Sequence, residues 1–443
     1  MRVRISLLGL AVLVAVPGTS QAQTPTFTRD VAPIFQAKCE TCHRPGSMAP
    51  MSLQTYQDAR PWARNIRTQV ATRTMPPWHL DTTVGIQHFK NDRSLTDAQI
   101  DTIVRWVDGG APQGDPKDMP ALREWPTGNA WQLADQFGQP DLVLRTDPYT
   151  MEANTQDKWW RSLMETGITE PRWIRAIEVK PSQKGRRIVH HLTSQLEQDE
   201  PDGLIGLASS VDGTTQNPGG FMEWAVGKVG EIFPEDAGKL LLPGSKVRAN
   251  VHYFAIGEEI PNDVVEMGIY LYPKGQQPKY RAILHNFGAQ GPRNRVDIPP
   301  NETSMIQNFH VLKAPARLEN FQPHMHMRGK AMSMEAIYPD GKREVLSYAN
   351  NFQYKWHTNY IYADDAAPIL PKGTVIVITA WHDNTAANKN NPDPRQWVGY
   401  GDRTVDEMGH AWVDVTYLTQ EDFDRFTAER KAKRTAATQN QQQ

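Results

Sequence analysis

Cysteine occurs only twice among the 443 residues, at Cys39 and Cys42. No disulfide can therefore staple distant parts of this chain, and its loops must be held by packing alone. The two thiols stand three positions apart and run straight into a histidine, as Cys39-Glu40-Thr41-Cys42-His43. That is the C-x-x-C-H pattern of thioether haem attachment. Two thiols at this spacing can take both vinyl edges of one porphyrin while His43 takes the proximal axial position on iron. The alternative is a structural or zinc-binding pair, and a thiolate zinc site needs partner ligands of the same kind nearby.

The N-terminus reads as an export signal, which suits covalent haem attachment outside the bacterial cytoplasm. Arg2 and Arg4 precede an uncharged apolar stretch from Ile5 to Val16, followed by Pro17-Gly18-Thr19-Ser20-Gln21-Ala22, a small-residue cleavage site. Residues 1–22 are thus expected to be removed after Ala22. No later segment offers the ~20 consecutive apolar residues of a membrane span. The expectation is a periplasmic or secreted protein. Taking Arg2 and Arg4 from the 48 basic residues leaves 46 against 50 acidic ones, a net charge near −4. Nothing in that balance points to nucleic acid or an anionic membrane surface.

Hydrophobic periodicity divides the rest. From residue 23 to about 115 the pattern is helical and centred on the haem motif. Val31, Ile34 and Phe35 share one face. Thr96-Asp97-Ala98-Gln99 is a capping box opening a helix with Ile100, Ile103, Val104 and Val107 on one side, stopped by Gly109-Gly110. Residues 116–140 are rich in Pro, Gly, Asp and Gln and read as a linker. Beyond them, β-branched and aromatic runs recur between turn clusters: 187–192, 246–255, 264–272, 374–381 and 411–418. Some 280 residues of this kind suit two all-β sandwiches, 141–298 and 299–420, joined near Pro299-Pro300-Asn301-Glu302. The tail, 421–443, is basic and then Gln-rich, and is expected to be partly disordered.

A haem used for electron transfer takes a Met sulfur opposite its His. Met48 and Met51 follow His43 too closely for the chain to pass round the haem edge. Met75, in Met75-Pro76-Pro77-Trp78, leaves 32 residues for that path and is the expected sixth ligand. Otherwise His79 fills the position, or it stays open.

The chain has 13 histidines, and those of the β region are clustered. His190 and His191 adjoin, His252 lies in Val251-His252-Tyr253, and His324-Met325-His326 presents two imidazoles at i and i+2. In a strand, i and i+2 share a face, so His324 and His326 can bind one metal. His190 and His191 would point to opposite faces unless a bulge or strand end intervenes. Imidazole suits copper, zinc, iron or nickel, and an added thioether favours Cu(I).

The order His190-His191, then Val251-His252-Tyr253, then His324-Met325-His326, then Asp406-Glu407-Met408 resembles the copper type II, ascorbate-dependent monooxygenases. Peptidylglycine α-hydroxylating monooxygenase and dopamine β-monooxygenase belong to that family. The resemblance covers roughly 141–418 and implies two jelly-roll-like domains with one copper each. His190, His191 and His252 would hold the electron-storing copper, and His324, His326 and Met408 the oxygen-binding one. Combined with the helical part, the expected fold class is multidomain: a small all-α cytochrome c domain followed by two all-β jelly-roll-like sandwiches. A group of bacterial fusion proteins has this arrangement, and Met75-Pro76-Pro77-Trp78-His79 is similar to theirs. The peptide-amidating members hold a substrate carboxylate with an Arg two residues before His-x-His, and with Asn and Tyr two and four residues after the Met. This chain has Gln322, His410 and Trp412 there, so a glycine-extended peptide is not the expected substrate.

The implied activity is hydroxylation of a C–H bond of some other small molecule or peptide by O2, with two coppers and one haem c as cofactors. The haem would take electrons from an external donor. A periplasmic electron-transfer or copper-binding protein without oxygenase activity is the alternative, and a carbohydrate-binding or adhesion sandwich is a third. His79, His88, His285, His310, His357 and His382 acquire no role, although His310 and His382 are candidates for orienting a ligand imidazole.

Overall fold

The computed structural model describes residues 24–125, 129–199, 208–210, 220–291 and 295–441. The expected signal segment and its cleavage site lie outside them. Seven strands build the region of interest: β1 Lys158–Glu165, β2 Val189–Glu197, β3 Gly220–Ala225, β4 Lys246–Tyr253, β5 Tyr280–Gly288, β6 Asn320–His324 and β7 His410–Tyr417. Four helices matter here: α1 Ala32–Lys38, α2 Ala63–Ala71, α3 Asp97–Asp108 and α4 Gln420–Gln441.

The expected fold class needs correcting on two counts. Strand accounts for 36% of the molecule and helix for 18%, and the β part is not two separate sandwiches. One 15-stranded sheet runs through both halves. β5, from the first half, pairs antiparallel with β7, from the second, over eight registered positions from Arg281↔Tyr417 to Gly288↔His410. A further exchange goes the other way, since strand Ala208–Ser210 joins the five-stranded sheet of the second half beside Thr303–Leu312. β5 approaches β3 at Leu284↔Gly220, where a Cβ on Gly220 would stand 2.5 Å from the Leu284 carbonyl oxygen. Only glycine fits that approach.

The helical part is likewise no self-contained all-α cytochrome domain. Its helices are short, and α3, the longest of them, has 12 residues. Phe27, Phe35 and Trp106 make a small core of their own, with Phe27 and Trp106 ring centroids 5.9 Å apart. The residues between α2 and α3 leave that core and dock on the sheets. Leu80 bridges Ala349, Phe89 bridges Tyr362, and both apolar side chains are buried in the second β core. Burial of apolar surface against the larger β core overrides local helical organisation here.

Local signals are otherwise realised as read. The capping box holds α3, with Thr96 Oγ1 accepting the Gln99 N–H at 3.2 Å and Gln99 Oε1 accepting the Thr96 N–H at 2.9 Å. Trp106 joins Ile103 as its fully buried face. All five expected β runs contain strands. The tail instead carries α4, started where Thr419 Oγ1 accepts the Asp422 N–H at 3.1 Å and anchored by Phe426 against Tyr280. Among the described residues, no helix is long and apolar enough to cross a membrane.

In the middle of β5, His285 stacks on Phe287 with centroids 5.3 Å apart, and Tyr417 donates its hydroxyl to His285 Nε2 at 2.8 Å. Burial pushes this imidazole down to about 3 from 6.5. The folded chain therefore keeps His285 neutral while the unfolded chain protonates it, so its contribution to stability is full above pH 6.5 and is lost as pH falls. Between pH 7 and pH 5 the loss is about 2 kcal/mol. Urea unfolding of wild type and His285→Gln should show their stability difference moving by that amount toward the variant at pH 5. A difference independent of pH would contradict the buried neutral state.

Candidate metal centre

The haem motif follows directly from α1. Turns continue past the helix end, with the Cys42 and His43 N–H groups donating to the Cys39 carbonyl at 3.1 and 3.0 Å. His43 Nδ1 donates to the Met51 carbonyl at 3.3 Å, which leaves Nε2 with its lone pair for a metal. Burial pushes the Cys39 thiol up to about 12 and raises Cys42 as well. The free thiols are thus protonated, and burial suits an uncharged thioether.

These residues face a cavity of about 1250 Å³, above the size of an ordinary ligand pocket. Cys39, Cys42, His43 and Met75 are among the residues that line it. Met75 is brought there by the turn after α2, its N–H bonded to the Gln69 carbonyl at 3.1 Å, but Met48 and Met51 share the wall. Met51 meets His43 through its main-chain carbonyl, which accepts from Nδ1. His79 does not line the cavity. It is buried, and its N–H donates to the Tyr360 hydroxyl at 3.1 Å.

The same cavity is lined by His190 and His252. Three neighbouring strands carry the cluster: Trp159 of β1 stands opposite His252 of β4, which stands opposite His191 of β2. The bulge that His190 requires is present. Along the β4–β2 ladder His252 pairs with His191 but Tyr253 pairs with Val189, so His190 is the extra residue. It turns to the same side as its neighbour. His190 and His191 Nδ1 are 3.0 Å apart, His252 and His191 Nδ1 are 3.4 Å apart, and the ligand atoms of all three lie within 4.8 Å of one another. Nitrogens about 2.0 Å from one tetrahedral ion would be roughly 3.3 Å apart, so the donor set fits a metal. Neutral imidazoles cannot satisfy three converging Nδ1 atoms among themselves. His252 is oriented from both sides, by Trp159 stacked at 4.5 Å and 9° and by Asp157 Oδ2 at 3.2 Å from Nε2. Burial lowers the His190 imidazole to about 4 and holds His191 well below its ordinary range.

His324 ends β6, cross-strand from His410 of β7, and its ring centroid lies 5.4 Å from that of His326. A buried carboxyl holds the turn beyond β6. Glu407 accepts the His326 N–H at 3.0 Å and the Arg328 N–H at 2.5 Å, and burial pushes it up to about 8. His326 Nδ1 donates to the Asp406 carbonyl at 3.1 Å, which leaves Nε2 as the metal donor. Met408 is buried beside this turn, and His382 Nε2 donates to its carbonyl at 2.9 Å. His382 therefore positions the Met408 main chain. His310 bonds the Gly288 carbonyl of β5 at 3.2 Å instead.

The resemblance implies one metal per domain, but the continuous sheet brings the two groups into contact. His191 and His324 ring centroids are 5.5 Å apart. Two further imidazoles belong to the cluster: His410, stacked on His324 at 4.5 Å, and His357, 4.4 Å from His324. His410 could have been suspected from its place two residues after Met408. His357 lies in a loop with no periodicity to mark it.

No family model matches the chain, and no curated protein matches it. Among solved structures, the major capsid protein P2 of bacteriophage PM2 aligns with 63% of this chain and 97% of its own, at 10% identity and a TM-score of 0.26. The Gx strain of infectious bursal disease virus aligns with 64% of this chain and 73% of its own, at 8% identity and 0.18. Procruciferin, an 11S globulin from Brassica napus, aligns with 63% and 84%, at 8% and 0.13. Likeness this slight carries no argument about function.

Removing the Glu407 carboxyl would strand two main-chain N–H groups in the interior. Glu407→Ala should lower stability by about 2 kcal/mol in urea unfolding, and Glu407→Gln, which keeps one acceptor, by less. An alanine variant as stable as wild type would remove Glu407 as the clamp.

Proposed function

We propose that this protein is an exported copper-dependent monooxygenase that hydroxylates a C–H bond with O2, and that a haem attached at Cys39 and Cys42 delivers the electrons. The observation that carries the reading is the shared cavity, which Cys39, Cys42 and His43 line together with His190 and His252. Haem and copper, when bound, would supply one-electron transfer, electron storage and O2 activation.

The chain's residues have definite tasks in this scheme. His43 and Met75 offer the axial ligands to iron. His190, His191 and His252 offer converging Nδ1 atoms for one copper, and Asp157 Oδ2 sets a negative charge 3.2 Å from His252 Nε2. His324, His326 and Met408 offer the ligands for the second copper, with the Asp406 carbonyl fixing His326 and His382 holding the Met408 main chain. Thr404, a few residues before Met408, donates to Asp157 Oδ2 at 2.5 Å and so ties the loop of the second group to the first.

Gln322 stands where the peptide-amidating enzymes have their carboxylate-binding Arg. It is fully buried and spent on Glu223, at 2.5 Å, and on the His357 carbonyl, at 3.2 Å. It therefore offers nothing to a substrate carboxylate, which supports a substrate of another class.

Elemental analysis of loaded protein should give two coppers per haem, and Cys39→Ser with Cys42→Ser should abolish covalent haem. With chemically reduced haem and a panel of C–H substrates, Met408→Leu should cut O2 uptake on the order of 100-fold while haem reduction continues unchanged. Protein that cycles its haem but consumes no O2 above background with any substrate would be an electron carrier, and the oxygenase reading would fall.

A further inference from the structure

The cavity shared by the haem motif and His190 is cationic, although the chain as a whole carries a net charge of −2. Seven Lys and Arg side chains line it against two carboxylates, Asp92 and Asp157. Most of the seven are already engaged. Lys90 Nζ lies 2.6 Å from Asp364, Arg187 Nη1 2.8 Å from Glu258 and Lys228 Nζ 2.7 Å from Glu231. Lys38 and Arg186 donate to main-chain carbonyls, that of Asp92 at 2.9 Å and that of Gly46 at 2.6 Å. Lys355 is exposed, so water solvates it. That leaves Arg93, half-buried at the cavity wall, with neither a hydrogen bond nor an ion pair among the described residues. A partly desolvated charge without a counter-ion is unfavourable.

The segment that carries it is nevertheless pinned. Asn91 Nδ2 donates to the Asn359 carbonyl at 2.7 Å, Asn91 Oδ1 accepts the Ile361 N–H at 3.1 Å, and the Ser94 N–H donates to Asp92 Oδ1 at 2.7 Å. Across from it stands Gly227, where a Cβ would lie 3.9 Å from Arg93 Nη1 and 4.0 Å from the Trp356 ring. Arg93 therefore sits where the helical part meets both halves of the β region. Its charge also reaches the haem motif. Burial raises the Cys42 thiol, and Arg93 is the strongest influence opposing that rise, ahead of Arg44. Arg44 does not line the cavity; it donates to the Thr41 carbonyl at 3.2 Å and lies 4.5 Å over the Trp125 ring.

We infer that Arg93 is the counter-charge of the haem, a guanidinium at the cavity wall that stabilises the reduced haem and so raises its reduction potential. The inference rests on the haem reading above. A haem brings two carboxylates, and reduction of Fe(III) to Fe(II) adds one further negative charge, so an unpaired cation in a wall of low dielectric favours the reduced form. Arg93 thereby sets how readily an external donor fills the haem that shares its cavity with His190 and His252.

Haem-loaded, copper-free protein is titrated spectroscopically with a chemical reductant at fixed pH and ionic strength, so that neither turnover nor copper enters the reading. Arg93→Gln should shift the haem equilibrium about 10-fold toward the oxidised form, a potential lower by about 59 mV for this one-electron couple. Arg93→Lys, which restores the charge, should recover most of that shift. Lys355→Gln removes an exposed and screened cation of the same wall and should change the potential far less; an equal shift there would report bulk charge and overturn the assignment to Arg93. Absorbance and thermal unfolding report whether each variant is folded with its haem attached. Where Arg93→Gln does not fold, Arg93→Met, which keeps an apolar stem, is read in the same way. Folded, haem-bearing Arg93→Gln or Arg93→Met with the wild-type potential overturns the inference and leaves the haem reading intact. Wild type that attaches no haem overturns that reading and this inference with it.

Discussion

The antiparallel ladder between β5 and β7 sets where every imidazole of the cluster stands. β7 brings β6 with it, which puts His324 opposite His410. On its other flank β5 reaches β3, and β3 leads through β2 to β4, which puts His191 opposite His252. The 5.5 Å between the His191 and His324 rings is therefore a property of one sheet. Two sandwiches joined by a linker could not hold such a distance without a large interface, because relative domain motion is the default when few contacts cross a boundary.

A buried ionic network locks the same junction. Lys228 Nζ lies 2.7 Å from Glu231 and 3.6 Å from Glu223, while Lys239 Nζ lies 3.4 Å from both Glu231 and Asp414. Glu223 belongs to β3 and Asp414 to β7, so the charges bind strands from both halves of the chain. Three carboxyls face two ammonium groups, and burial pushes Glu223 up to about 7 and raises Asp414. Such a network adds little net stability, because desolvation offsets most of the attraction. Its geometry is nonetheless restrictive. Gln322 of β6 bonds both Glu223 and Lys228, and through the His357 carbonyl it extends that order to the imidazole cluster.

What was legible in the sequence was local. The capping box at Thr96, the strands around His191 and His252, and the need for a bulge at His190 all follow from spacing within a few residues. The single sheet does not, because Arg281 and Tyr417 are far apart in sequence and their pairing leaves no periodic mark. The docking of Leu80 and Phe89 on the second β core was hidden for the same reason, and so was His357. α4 was missed differently: most of its residues are exposed and polar, so it lacks the apolar stripe that marks a packed helix.

Burial also decides the chemical state of the cluster. An exposed imidazole takes up a proton near pH 6.5 and then cannot bind a metal. His190 and His326 are each pushed down to about 4 by burial, and His191, His324 and His357 are held well below the ordinary range for the same reason. Their lone pairs thus stay free of protons well into acid. The fold meets a cost in doing so, since neutral imidazoles with unmet nitrogens destabilise an interior that holds nothing else for them to bind. That cost is the physical reason to read the cluster as donors for a metal rather than as packing. It falls most heavily on His410, which has both ring nitrogens unpaired opposite His324, where the two halves of the sheet meet.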